Sequence, residues 1–263
     1  MISLIIPTYR NPEYLDICLR SAVGGRVVDS TEILVVVDGY VEESQSIIDK
    51  YKGKIKVLPL EQNQGMQMAL NLGVFNAINE NIMIINDDNV LCTGWDSIWK
   101  DVKEGEAITI NQIEPTGPGI FNFPVKDFGR NPSEFDYEGF MNYETSLGSK
   151  EYTLDGGIFP FVLKKKNYMM VGGFDTLYKS PFICDWDFFL KLELAGVTFK
   201  RSHEYHFYHF GSTATKNGKE GDKFKATEGP AAHTYIYKWG IPPQIFENNS
   251  HRPSGKEVKG IKF

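Results

Sequence analysis

Ile82-Met83-Ile84-Ile85-Asn86-Asp87-Asp88-Asn89 is the stretch on which the fold turns. A short run of branched and unbranched apolar residues reads as a strand buried on both faces. Acids follow at once, so the run ends in a turn rather than continuing as a helix. In open α/β sheets, ligands bind just outside the carboxyl ends of the strands. The acidic turn is therefore a candidate site.

Working back toward the N-terminus, the same pattern repeats. Met66 to Ile78 reads as a helix, with Met66, Ala69, Leu70, Val74, Ala77 and Ile78 on its apolar face. The turn Asn63-Gln64-Gly65 precedes it, and Ile55 to Leu60 precedes that as a strand. A short helix with Ile47, Ile48 and Tyr51 on one side comes before. Glu32 to Val37 is a further buried strand, closed by Asp38-Gly39. The first strand is Ile2 to Ile6, ending at Pro7-Thr8-Tyr9. Asn11 as cap and Pro12 at the first position then open a helix bearing Leu15, Leu19 and Ala22, ending near Gly24-Gly25. Alternating strands and helices predict an α/β fold with a mostly parallel central sheet flanked by helices. Pro7-Thr8-Tyr9, Asp38-Gly39 and Asp87-Asp88-Asn89 should then meet on one rim.

Bulk properties narrow the function classes. The chain has 263 residues, 41% of them hydrophobic, enough for one large domain with a real core. The formal net charge of -6 argues against a general nucleic-acid binder. Cys18, Cys92 and Cys184 form no close pair, which suggests a reducing, cytoplasmic setting and three buried thiols. The N-terminal run is too short and too uncharged for a signal peptide, and no apolar stretch is long enough to span a bilayer. The region from Glu114 to Ser149 is rich in Gly, Pro and aromatics and resists assignment, as binding loops do. Phe121, Phe123, Phe128, Phe135, Tyr137 and Phe140 could stack on a sugar, although packing is the simpler role for most. Residues 248–263 read as a flexible polar tail, leaving 1–247 as a single domain.

Adjacent carboxylates at Asp87 and Asp88 repel each other unless a cation or donors lie nearby. Mg²⁺ or Mn²⁺ removes that cost and suits a site handling phosphate oxygens. An isolated Asp-Asp pair is more simply a helix-capping turn. On one rim with Thr8 and Asp38, the metal reading gains. Asp38 could accept a ring N–H from a base, with Thr8 and Tyr9 in the same pocket, or simply form an Asp-Gly turn.

Taken together, these segments resemble the inverting family 2 glycosyltransferases with the GT-A (Rossmann-like) fold. The resemblance rests on IIPTYRNPEYLDICLRS, EILVVVDG, NQGMQMALNLG and IMIINDDNV, in that order. It continues through DGGIFPFVLKKKNYMMVGGFD, ICDWDFFLKLELAG and YHFGSTAT. It covers most of residues 1–213 apart from 114–149. The resemblance implies a nucleotide-binding half over 1–100 and a smaller acceptor-side subregion over 101–247. It assigns Pro7, Thr8, Tyr9, Asp38, Asn63, Gly65 and Asp87 to a nucleotide sugar, a UDP-sugar above all, with Mn²⁺ or Mg²⁺ as cofactor. Asp88 is the first choice as metal ligand. His209 matches a position that ligates the metal in some relatives, with a hydrogen-bonded strand histidine as the plain alternative. Strand alternation keeps His206 from joining it.

Asp185 matches the acid that takes the proton from a carbohydrate or other hydroxyl acceptor. Here Cys184 precedes it where relatives often carry Glu, and Asp187 is the fallback. An N-cap role for Asp185 would lower its pKa. Gly156-Gly157 match a small-residue turn that would let a sugar approach the backbone. Lys164-Lys165-Lys166 read as a solvated edge. Residues Thr213 to Asp222, with Lys216, Gly218 and Lys219, read as a loop closing over the diphosphate. Two alternatives stand beside this reading. A sugar nucleotidyltransferase would want a glycine-rich phosphate loop after the first strand, which Pro7-Thr8-Tyr9-Arg10-Asn11 lacks. A catalytically silent carbohydrate-binding protein would not need Asp185 and the acidic pair.

Overall fold

A computed structural model describes residues 1–116, 123–211 and 220–243. The first half alternates as expected. β1 (Ile2–Thr8), β2 (Glu32–Asp38), β3 (Lys56–Leu60) and β4 (Asn81–Ile84) are separated by α1 (Pro12–Gly25), α2 (Val41–Lys50) and α3 (Met66–Asn76). Pairing of β1 with β2, β1 with β4 and β2 with β3 is parallel throughout. This is the block that the apolar runs predict, because strands covered on both faces need side chains that are apolar on both.

Beyond β4 the sheet is mixed. Its remaining strands are β5 (Asn89–Val90), β6 (Glu106–Ile113), β7 (Tyr152–Thr153), β8 (Phe161–Lys164) and β9 (Thr198–His209). The order is β3-β2-β1-β4-β8-β6-β9-β5, with β7 on β9. β8 sits between β4 and β6 and runs against both, while β9 is parallel to β6. The expectation of a mostly parallel sheet thus describes its first half.

Both faces carry a core. Leu4 and Ile6 of β1 and Val35 and Val37 of β2 face α1, meeting Leu15, Leu19 and Ala22. Ile5, Leu34 and Val36 point the other way, to Ala69, Leu70 and Val74 of α3 and to the aromatic side chains of α6 (Cys184–Leu194). A Cβ at Gly73 would come within 2.5 Å of Ile5 Cγ2, so only glycine lets α3 lie this close to the sheet. At roughly 1.5–3 kcal/mol for each large apolar side chain buried, these two layers dominate the stability.

Three expectations are adjusted. α3 ends at Asn76, not Ile78, and Ile78 is exposed. Asn76 Nδ2 donates to Leu72 O, and Lys165 Nζ donates to the carbonyls of Phe75 and Ala77, so polar groups close the helix two residues early. Lys165 is therefore a helix-end cap on α3, not merely a solvated side chain. The unassigned region contains α4 (Tyr137–Leu147), with Asp136 capping through Gly139 N at 2.9 Å. Phe128, Phe135, Phe140, Tyr208 and Phe210 pack there as an aromatic cluster, so most of the aromatics of this region pack. α5 (Lys165–Met170), α7 (Gly221–Lys225) and α8 (Glu228–Trp239) complete the described helices. Phe121 and residues 248–263 lie outside the described residues, as do 213–219 of the expected closing loop. The cysteines are buried and unpaired with one another. Among the described residues no helix is long and apolar enough to cross a membrane.

Candidate active site

The carboxyl ends of β1, β2 and β4 open into a cavity of about 920 Å³, closed on the far side by the start of α6. Pro7, Thr8, Tyr9, Asp38, Asn63, Gly65, Asp87, Asp88, Asp185 and His209 all line it. The strand-end rule thus brings one rim together from separate segments.

Asp38, the last residue of β2, takes three donors from the turn before α3. Asn63 Nδ2 lies at 3.0 Å, Gln64 N at 2.6 Å and Gly65 N at 2.9 Å. Burial pushes its pKa up, and the Gln64 and Gly65 amides oppose that. Its first duty is to fix the 63–65 turn, a use the reading from sequence did not anticipate. Gly39 permits the approach, since a Cβ there would lie 2.7 Å from Asn63 N and its φ is +80°. The adjoining wall is aromatic. Tyr9 meets Tyr40 and Phe224 edge-on at 5.9 and 6.1 Å, and the Arg10 guanidinium lies 4.4 Å over Tyr40. Arg10 also pairs with Glu43 and Glu220, tying α7 to this rim.

Thr8 and Asn11 serve Asp87. Thr8 Oγ1 donates to Oδ2 at 2.7 Å and Asn11 Nδ2 to Oδ1 at 3.1 Å. Asn11 holds the N-cap position of α1, but its side chain makes no cap bond because it turns to Asp87 instead. Burial, and then the neighbouring Asp88, push Asp87 up to about 7. Asp88 faces His209, with Nε2 at 3.7 Å from Oδ1, and Glu114 Oε1 lies 3.1 Å from the other ring nitrogen. His206, on the opposite strand face, contacts Asn111 and Glu144 instead.

A cation suits this donor set. Burial first and then repulsion from Asp88 lift Asp87, a divalent ion would counter both, and carboxylate with imidazole is a pair Mn²⁺ accepts. Among the described residues no three His, Cys, Asp or Glu side chains form a cage by themselves. Asp88 and His209 would hold such a cation only together with ligand oxygens or water.

Asp185 lies in the first turn of α6 beside the cavity, where Trp186 N donates to its Oδ1 at 3.0 Å. The N-cap is Ile183, held at φ +70° in the left-handed region, so Asp185 is not the cap. The expected lowering of its pKa is overturned: burial pushes it up to about 6. A β-branched residue at this φ is strained, and here the strain aims the helix start at the cavity. Asp187, the fallback, is not among the cavity's lining residues. It is fully buried, accepting from Tyr178 Oη at 3.2 Å, Trp239 Nε1 at 2.8 Å and Lys238 Nζ at 2.8 Å. It anchors α8 to α6.

Gly156 and Gly157 do not line the cavity either. A Cβ on Gly156 would meet Thr109 Oγ1 at 2.9 Å and Lys200 O at 3.0 Å, and Gly157 N donates to Thr109 Oγ1 at 3.1 Å. The smallness of Gly156 serves packing against β6 and β9, whereas Gly157 is held at φ +84°, with Phe189 of α6 3.7 Å from where a Cβ would stand. The following residues, Ile158 and Phe159, do reach the cavity. The reading from sequence missed Gln112, Glu114 and Trp186, which line it too. Glu114 lies just past β6, a strand hidden by the buried polar residues Thr109, Asn111 and Gln112. Had β6 been recognised, the strand-end rule would have found Glu114.

Comparison with known proteins bears on the fold and the family. The glycosyl transferase family 2 model matches residues 3–148. Glycosyltransferase GlyG of Streptococcus pneumoniae is 26% identical over 137 residues, 49% of this chain and 45% of that protein. The chain spans less than two thirds of the length of the curated relatives it matches. Among solved structures, S. aureus TarS 1-349 in complex with UDP-GlcNAc aligns with a TM-score of 0.60 and 17% identity, over 89% of this chain and 66% of that one. GalNAc-T7 with UDP, GalNAc and Mn²⁺ aligns with a TM-score of 0.57 and 14% identity, over 80% and 43%. The sheet with its flanking helices is the GT-A fold, and the chain belongs to glycosyl transferase family 2.

Proposed function

We propose that this chain is an inverting glycosyltransferase that moves a sugar from a nucleoside-diphosphate donor, a UDP-sugar, to an acceptor hydroxyl. The observation that carries this reading is that Asp38, Asp88 and Asp185, from three separate segments, line one cavity. Residues 1–100 hold the donor nucleotide, with Asp38, the 63–65 turn and Tyr9 around the base. Residues 101–247 supply the acceptor side. Asp185 is the general base. It takes the acceptor's proton as the acceptor oxygen bonds to the anomeric carbon and the bond from that carbon to the diphosphate oxygen breaks. A pKa of about 6 suits it, being ionised at neutral pH yet more basic than an ordinary carboxylate. A divalent cation held by Asp88 and His209 would supply the positive charge that the departing diphosphate needs. UDP and Mn²⁺ in the aligned structures support the donor and metal parts of the reading. The test is a panel of nucleotide sugars with Mn²⁺, following release of the nucleoside diphosphate with and without carbohydrate acceptors. The expected result is UDP release from one UDP-sugar, lost in Asp185→Asn while UDP binding persists. Undiminished release by that variant would remove Asp185 from the role.

A further inference from the structure

His209 stands between two carboxylates, and only one of them belongs to the acidic turn. Its Nε2 faces Asp88 Oδ1 at 3.7 Å, beyond hydrogen-bond reach. Its Nδ1 faces Glu114 Oε1 at 3.1 Å. The backbone holds all three residues in place. Asn89 pairs with His209 across β5 and β9, and Phe210 N donates to Asp88 O at 3.2 Å. Glu114 is pinned on both sides, its N donating to Pro124 O at 3.1 Å and its O accepting from Lys126 N at 2.9 Å. The Glu114 side chain is 22% exposed and that of His209 12%, so the contact is sheltered.

An ionised carboxylate can only accept, so the contact with Glu114 requires the proton of the neutral ring to sit on Nδ1. The lone pair then lies on Nε2, on the Asp88 side. Without Glu114, the ring could take the other tautomer and donate to Asp88, which would remove it as a ligand. We propose that Glu114 is a positioning residue that fixes the tautomer and ring orientation of His209, so that Nε2 and Asp88 present their lone pairs to one divalent cation. This rests on the cation reading proposed above. Partners that orient a ligating imidazole are typically worth about 10–100-fold in metal affinity.

The experiment compares the wild type with Glu114→Ala, Glu114→Gln, His209→Ala and the Glu114→Ala/His209→Ala double variant. Mn²⁺ affinity is measured by electron paramagnetic resonance in the presence of UDP, and the imidazole tautomer by ¹⁵N NMR of the metal-free protein. Glu114→Ala should weaken Mn²⁺ binding about 10–100-fold. Glu114→Gln, whose amide oxygen still accepts from Nδ1, should lose less and keep the tautomer. The double variant should bind no more weakly than His209→Ala alone, because Glu114 acts through the ring. In the NMR spectrum, His209 should carry its proton on Nδ1 in the wild type and shift toward Nε2 in Glu114→Ala. The proposal is overturned if Glu114→Ala stays within about twofold of wild type while His209→Ala loses about tenfold or more. It is equally overturned if the wild-type ring carries its proton on Nε2. If His209→Ala binds Mn²⁺ as tightly as wild type, the cation reading itself fails and the role of Glu114 falls with it.

Discussion

Asp185 and Asp187 carry the same side chain two residues apart on α6, and their surroundings differ. Asp185 is half-buried and lines the cavity with a single backbone amide as partner, whereas Asp187 is fully buried and faces inward to Tyr178, Lys238 and Trp239. Burial without a countercharge raises the first carboxyl and leaves it able to take a proton. Burial with an ammonium and two further donors makes the second a fastening for α8. The difference teaches that acidity in a sequence says little, and that the partners a backbone direction supplies decide between chemistry and architecture.

The largest effect that could break this comparison is on turnover. Asp185→Asn should lower kcat by about 10²–10⁴-fold with the melting temperature nearly unchanged, the range for loss of a general base. Next comes stability. Asp187→Ala leaves the Tyr178 hydroxyl and the Trp239 indole N–H without their acceptor and Lys238 with Asp175 alone, and should cost about 1–3 kcal/mol in denaturant unfolding. If Asp187→Ala spared stability and abolished turnover, the two roles would have to be exchanged.

The pH dependence sharpens the contrast further. With Asp185 at about 6, kcat/KM should fall about tenfold per pH unit below that value. An acid limb centred near the ordinary carboxylate range would contradict the burial argument.

The smallest effect is a linkage between pH, cation and stability at Asp87. Its folded pKa, about 7, is raised above the model-peptide value of 3.8. The stability this group contributes is therefore full below about 3.8 and lost as pH rises through about 7. A bound cation favours the ionised form and should reverse that loss. Mn²⁺ with UDP should raise the melting temperature more at pH 7.5 than at pH 5. An equal rise at both would separate Asp87 from the cation.

The parallel half of the sheet was largely legible in the sequence, and the mixed half much less so. Pro7-Thr8-Tyr9, Asp38 and Asp87-Asp88 each end an apolar run, so a strand end is visible from neighbouring residues alone. Glu114 ends a strand too, but Asn111 and Gln112 interrupt its pattern with buried polar groups satisfied by distant partners. Gly156 and Gly157 looked like a sugar's approach to the backbone, and what approaches them is β6 and β9 at Gly156 and Phe189 of α6 at Gly157.

Alternating apolar runs, turn residues and the position of acids after strands are local properties, and from them the sequence determined the parallel block, its helices and the rim where carboxylates gather. Tertiary structure alone decided that Thr8 and Asn11 bond to Asp87, that Asp38 holds the 63–65 turn, that Asp187 fastens a helix and that Glu114 faces His209. Each of these depends on groups distant in sequence meeting at hydrogen-bond range, and no periodicity along the chain records which they will be.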